Sequence, residues 1–187
     1  MFKGLLVDLE PMSREYFDEK MVEFWNNESR LWAMMGDFAP VSRAGIKRIV
    51  EHRTGARERG YNGVHFMLRA KDGTVIGSIG LNWIEDAARL SWVGAWIGDP
   101  AYWGGGYGSD ALLLLTEYAF DWLDLRRLVL GTMDLNARAQ RNVEHCGFVL
   151  EARVRHETFV DGQPVDGLIY GLMRADWPGR EALAADM

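Results

Sequence analysis

Residues 97 to 115 read Ile-Gly-Asp-Pro-Ala-Tyr-Trp-Gly-Gly-Gly-Tyr-Gly-Ser-Asp-Ala-Leu-Leu-Leu-Leu, and they carry the clearest chemistry in the chain. An apolar strand ends at Ile97, a Pro-containing turn follows, and four glycines within Gly104–Gly108 open an amphipathic helix. Glycine lets a main chain come close to a ligand, and the first amides of a helix have no partner inside it. Together with the positive end of the helix dipole, such amides hold phosphate groups. The turn therefore predicts a phosphorylated ligand.

Three phosphate-binding patterns compete for it. A Walker loop needs a Lys directly after its glycines, and none stands there. A dinucleotide fingerprint fares better, since Gly106-Tyr-Gly108-Ser-Asp-Ala111 satisfies G-x-G-x-x-A. Asp134 even follows about 20 residues on, after a strand. Yet a dinucleotide turn starts at the strand end, whereas residues 98–105 intervene here, and no second βαβαβ half can follow. A thioester carrier with a diphosphate, coenzyme A, is the reading left standing.

Other reactive side chains read more plainly. His145 and Cys146 are adjacent, and neighbours on a helix point to different faces, which argues against a Cys–His nucleophile. His52, His65 and His156 lack metal-ligand spacing, so no metal is expected. Six tryptophans, Trp25, Trp32, Trp83, Trp92, Trp96 and Trp103, are candidates for lining a cleft, and Trp32, Trp83 and Trp92 for meeting a substrate. The apolar, aperiodic run from Trp32 to Phe38 reads equally as core or as a lid on an acceptor site.

These residues need a frame. The patterning predicts strands over 2–9, 64–70, 74–83, 89–97, 127–133, 148–160 and 165–173, with Lys71-Asp72-Gly73 and Asp161-Gly162 as hairpin turns. It predicts helices over about 13–27, 42–57, 109–123 and 137–146, the last capped by Asn136 and ended by Gly147. The order is α+β: a mixed sheet, antiparallel early and parallel near the glycine helix.

At 187 residues, 48% of them hydrophobic, the chain fits one domain over residues 1–187 with a sizeable core. Only Leu5, Leu6 and Val7 precede Asp8 near the start, too short for a signal segment or a membrane span, so a cytoplasmic location is expected. The single cysteine forms no internal disulfide, in keeping with a reducing compartment. A net charge of −6 without a basic stripe argues against nucleic acid and permits a cationic substrate.

Two blocks then carry a family resemblance. The run Trp103-Gly104-Gly105-Gly106-Tyr107-Gly108 is similar to the Gln/Arg-x-x-Gly-x-Gly/Ala signature of the GNAT acyl-CoA N-acyltransferases. The run Asn136-Ala-Arg-Ala-Gln-Arg-Asn-Val-Glu-His-Cys-Gly147-Phe148 resembles the ribosomal-protein-alanine N-acetyltransferase (RimJ/RimL-like) branch. The likeness covers nearly the whole chain and is strongest over residues 92–177. It implies a mostly antiparallel sheet of about seven strands with flanking helices, splayed between the fourth and fifth.

The resemblance also implies roles. Acetyl-CoA would be the donor, and the acceptor a primary amine, such as a peptide N-terminus or a small amine. The amides from Gly104 to Ser109 would hold its diphosphate. Trp96 and Ile97 would pair with the pantetheine arm and offer an oxyanion-stabilising N–H. Trp103, Asn136 and Arg141 would also touch the cofactor, and a homodimer is compatible.

The chain departs from the pattern where proton transfer is concerned. Trp103 takes the usual Gln/Arg place, Val143 that of a Tyr, Ala139 that of a Ser, and Trp92 that of a Glu. Glu85, Glu144 and Glu157 remain as water-mediated bases. With the usual acid and base missing, a coenzyme A-binding module without catalysis is the reading from another class.

Overall fold

A computed structural model describes residues 2–13, 19–28, 40–54 and 62–185. The strands are β1 (Phe2–Lys3), β2 (Val7–Pro11), β3 (Val64–Ala70), β4 (Val75–Glu85), β5 (Leu90–Ile97), β6 (Arg127–Met133), β7 (Val149–Val160) and β8 (Gln163–Met173). They form one sheet in the order β1-β2-β3-β4-β5-β6-β8-β7. Helices α1 (Glu19–Phe24), α2 (Arg43–Thr54), α3 (Tyr107–Glu117), α4 (Ala137–His145) and α5 (Arg180–Ala184) flank it.

The sheet has eight strands where seven are expected. The expected first strand breaks in two because a distant carboxylate takes its amides. Asp110, buried in the first turn of α3, accepts the N–H groups of Leu6 at 2.7 Å and Val7 at 2.9 Å. Gly4 N–H donates to Val7 O at 2.8 Å, closing the bend.

Every pairing is antiparallel except that of β5 with β6. That parallel ladder stops early, at Trp92↔Val129. Beyond it β5 stays with β4 as far as Gly77↔Ile97, while β6 stays with β8 as far as Met133↔Gly167. Each strand keeps its outer partner, so the sheet opens as a V between them. This is the splay expected between the same two segments.

The core lies on both faces. Leu112, Leu115 and Phe120 pack with Leu9, Leu68, Ile79, Leu128 and Tyr170 on one side. Met21, Phe24, Trp25, Ile46 and Val50 form a smaller cluster on the other, with Trp96 against it. Helix α3 is not amphipathic as its pattern suggests. It is buried without interruption from Asp110 to Thr116, because β2, α4 and α5 all pack against it. No helix among the described residues is long and apolar enough to cross a membrane.

The expected turns are present. Gly73 (φ +91°) and the Asp161-Gly162 pair (φ +50° and +75°) sit in left-handed backbone at the two hairpins. Asn136 Oδ1 accepts the Ala139 N–H at 3.0 Å as the cap of α4, and Gly147 ends that helix at φ +88°. The run 32–38 lies outside the described residues, and so does Trp32.

Candidate active site in the sheet opening

The approach to α3 starts at Asp99, whose Oδ1 accepts the Ala101 N–H at 3.0 Å and caps a single turn over Pro100–Tyr102. Trp103 N–H closes that turn on Pro100 O at 3.1 Å. Gly104 and Gly106 then take φ +79° and +85°, backbone that a side chain would strain. Asp110 is the first residue of the helix whose N–H bonds inside it, to Gly106 O at 3.0 Å. The amides of residues 104–109 find no partner among the described residues. Six consecutive donors are thus gathered at the positive end of a helix.

They border a cavity of about 830 Å³ in the sheet opening. Its second wall is α4, whose N-capping Asn136 and the side chains of Ala139, Arg141 and Asn142 face it. Ser109 Oγ donates to Asn142 Oδ1 at 2.6 Å and ties the two walls together. The third wall is the free edge of β5. Gly98 N–H bonds to Ile76 O at 2.8 Å, so main-chain groups at even positions point to β4. Those of Ala95 and Ile97 point the other way, into the opening. Ile97 O accepts the Trp103 indole N–H at 3.0 Å; the Ile97 N–H and both main-chain groups of Ala95 have no partner among the described residues and can pair with an extended ligand.

Charge completes the site. The chain carries 27 acidic residues, yet among the described residues no carboxylate lines this cavity, while Arg138 and Arg141 do. In a protein of net charge −6, that separation makes a local site for an anion.

A family model for the acetyltransferase (GNAT) domain matches residues 7–149. The chain belongs to the GNAT acetyltransferase family. It is 29% identical over 110 residues to a Bacillus subtilis protein named ribosomal N-acetyltransferase YdaF, covering 59% of this chain and 60% of the relative. It is 30% identical over 114 residues to YjcK of the same organism, named a probable N-acetyltransferase, covering 60% and 62%. The match thus spans about three fifths of the length of these curated relatives. Among solved structures, RimJ of Mycobacterium smegmatis in complex with CoA-disulfide superposes with a TM-score of 0.81 at 20% identity, covering 99% of this chain and 93% of that one. A spermidine N-acetyltransferase from Vibrio cholerae, solved with CoA and spermine, gives 0.79 at 19% identity, covering 91% and 97%. At these identities the likeness is one of fold.

Within this GNAT frame the expected cofactor residues converge. Trp96, Ile97, Trp103, Gly104, Gly105 and Gly106 line the cavity, as do Gly108, Ser109, Asn136 and Arg141. Tyr107 brings only its amide; its ring packs edge-on against Tyr102 at 5.1 Å. Trp96 departs from its expected role. Its main chain belongs to the β4 ladder, and a Cβ on Gly77 would lie 2.0 Å from its carbonyl oxygen. Ala95 and Ile97 hold the edge instead.

The expected bases do not reach the cavity. Glu85 pairs with Leu90, at the end of β5 opposite Ile97, and is exposed. Glu144 accepts a hydrogen bond from Tyr170 Oη at 3.0 Å and lies on another face of α4. Glu157 stands on the edge strand β7 beside Gly167. Two expected substrate contacts also lie elsewhere: Trp83 is 61% exposed at the irregularity in β4, and Trp92 sits at the last rung below the opening.

Sequence reasoning missed Ala95, Tyr102, Arg138 and Asn142 on the cavity wall. Asn142 and Arg138 were within reach of helical spacing from Asn136, which puts 138, 139 and 142 on one side. Val143 is a core residue, 5% exposed, so the place of a Tyr in the family pattern is not on this wall. Burial pushes the Cys146 thiol up to about 12, which leaves it inert as a nucleophile.

Proposed function

We propose that this chain transfers an acetyl group from acetyl-CoA to a primary amine, with a peptide or protein N-terminus as the preferred acceptor. The observation that carries the reading is the row of six amides without a partner among the described residues, beside a cavity on which no described carboxylate stands and onto which the Ala95 main chain and the Ile97 N–H open. A diphosphate suits the amides, and the amide-bearing pantetheine arm suits the edge of Ala95 and Ile97. The family match and the relatives named as N-acetyltransferases support it, as do the CoA complexes among proteins of the same fold.

The amine nitrogen attacks the thioester carbon directly. Negative charge gathers on the carbonyl oxygen, where an N–H of the β5 edge stabilises it. The C–S bond then breaks; the amine loses its proton to water, and the thiolate takes one from water. Among the described residues no side-chain carboxylate on the cavity wall is available as a base. That selects for acceptors that are already neutral. Deprotonating a lysine-like amine at pH 7.5 costs roughly 4 kcal/mol, against well under about 1 kcal/mol for an α-amine. Polyamines therefore stand second as acceptors.

Thiol release on mixing the chain with acetyl-CoA and an amine panel tests the reading. Turnover is expected with short peptides bearing a free N-terminus, above that with spermidine at equal concentration. A preference for spermidine would overturn the acceptor. Tight CoA binding without turnover on any amine would favour a silent binding module.

A further inference from the structure

Trp103 is doubly fixed on the cavity wall. Its indole Nε1–H donates to Ile97 O at 3.0 Å, and the guanidinium carbon of Arg138 lies 3.9 Å from the ring centroid. The first contact pins the ring to the strand edge; the second lays Arg138 across it, on the cavity that Gly104 and Gly105 also line. We propose that Arg138 is the side-chain cation that grips the diphosphate of the coenzyme, with the Trp103 indole as the shelf that aims it. The inference rests on the acetyl-CoA reading and adds to it a binding residue on α4.

Several observations meet on this side chain. Arg69, Arg89, Arg127, Arg153, Arg174 and Arg180 each pair with a carboxylate. Arg138 makes no hydrogen bond and no close ion pair among the described residues. Stacking occupies the face of a guanidinium and leaves the N–H groups on its edge free. Those donors border the same cavity as the unpartnered amides of residues 104–109.

The electrostatics also leave this cation short of a counter-charge. Partial burial draws its pKa down, the Glu28 carboxylate offsets this from a distance, and neighbouring Arg141 adds repulsion. A bound diphosphate would relieve both penalties. It would accept the charge-assisted hydrogen bonds that Arg138 offers to no other described residue.

Calorimetry on the full chain, at one fixed ionic strength, separates the possibilities. The probes are coenzyme A, dephospho-coenzyme A (diphosphate kept, 3′-phosphate absent) and pantetheine (no phosphate). Arg138→Ala is expected to weaken coenzyme A and dephospho-coenzyme A alike by about 10- to 100-fold, the range for one lost charge-assisted contact, and to leave pantetheine unchanged. Arg138→Lys should recover only part of the loss, since a lysine stacks poorly. Trp103→Leu should reproduce most of it, and Arg138→Ala added to Trp103→Leu should then cost little more.

Affinity for coenzyme A within about twofold of the parent in Arg138→Ala would overturn the proposal. So would an equal loss for pantetheine, which marks a structural effect, or a loss confined to coenzyme A, which places Arg138 on the 3′-phosphate. Undiminished loss in the Trp103→Leu background would overturn the shelf. If the parent chain binds no coenzyme A, it is the acetyl-CoA reading that fails.

Discussion

Asp110 accepts the main-chain N–H of Val7 at 2.9 Å from 103 positions away in sequence. The same carboxylate oxygen takes Leu6 N–H at 2.7 Å, so one buried side chain binds the start of the chain to the first turn of α3. That turn follows directly on the glycines. The N-terminal strands and the glycine turn are therefore held as one unit.

Asp110→Ala leaves two N–H groups without this acceptor, that of Val7 buried and that of Leu6 half-buried. The expected cost is about 3 kcal/mol, from one to several for each unsatisfied group. Urea unfolding followed by circular dichroism measures it. Asp110→Asn keeps an acceptor oxygen and should lose about 1 kcal/mol. Equal stability of all three proteins would show that the bend forms without the carboxylate.

Gly106 carries φ +85° as the cap of α3, with no side chain to assist. Gly106→Ala forces an L residue into that backbone, at roughly 1–2 kcal/mol, or turns the amides away. Gly162 in the β7–β8 hairpin has φ +75° and open space around it, so Gly162→Ala is the matched control. Both variants should lose similar stability. Only Gly106→Ala should also raise the KM for acetyl-CoA, by about tenfold or more, since aimed amides carry the binding.

The element order, the hairpin turns, the α4 cap and the splay were all legible, because each is written in local signals. Asp161-Gly162 names its turn type, and Asn136 with Gly147 brackets its helix. What was illegible depended on distant contacts. Nothing near Val7 announces that Asp110 will take its amide. Likewise the leucine run of α3 looks one-sided until β2, α4 and α5 are packed around it.

The site divided in the same way. The glycine amides were legible because a helix start needs no partner to define it. The assignment of Trp96 to the strand edge failed on parity alone: one residue's shift in a strand reverses the direction of every main-chain group. Glu85 and Glu144 were candidates by residue type, and their distance from the cavity is a matter of register and helix face. Arg138 on Trp103 joins residues 35 positions apart, beyond any local signal.

The family's proton donors separate two variants that look alike in sequence. Ala139 faces the cavity, so Ala139→Ser adds a hydroxyl there without disturbing the core. If thiolate departure limits the rate, kcat should rise severalfold with KM for acetyl-CoA unchanged. Val143 is buried against the main core. Val143→Tyr should therefore not restore an acid but overpack the interior, at about 1–3 kcal/mol or more. A faster and equally stable Val143→Tyr variant would contradict this placement.

Alkaline pH should destabilise the fold through two groups. Burial pushes the Tyr170 phenol from 10.0 up to about 12, helped by the hydrogen bond it donates to Glu144 and by that carboxylate's charge. Burial alone raises the Cys146 thiol from 9.0 to about 12, against a small opposing effect of its contact with Ser109 O. In both cases the folded state holds a proton that the unfolded chain releases earlier. Their contribution is complete below the unfolded values, near pH 9 for the thiol and pH 10 for the phenol. It is lost as pH rises toward 12. The phenol should forfeit of order 3 kcal/mol and the thiol of order 4 kcal/mol across their windows. Urea midpoints measured between pH 8 and 11.5 should fall steadily, and Tyr170→Phe and Cys146→Ala should each flatten the slope. Parallel slopes in all three proteins would show that neither proton is held more tightly in the fold.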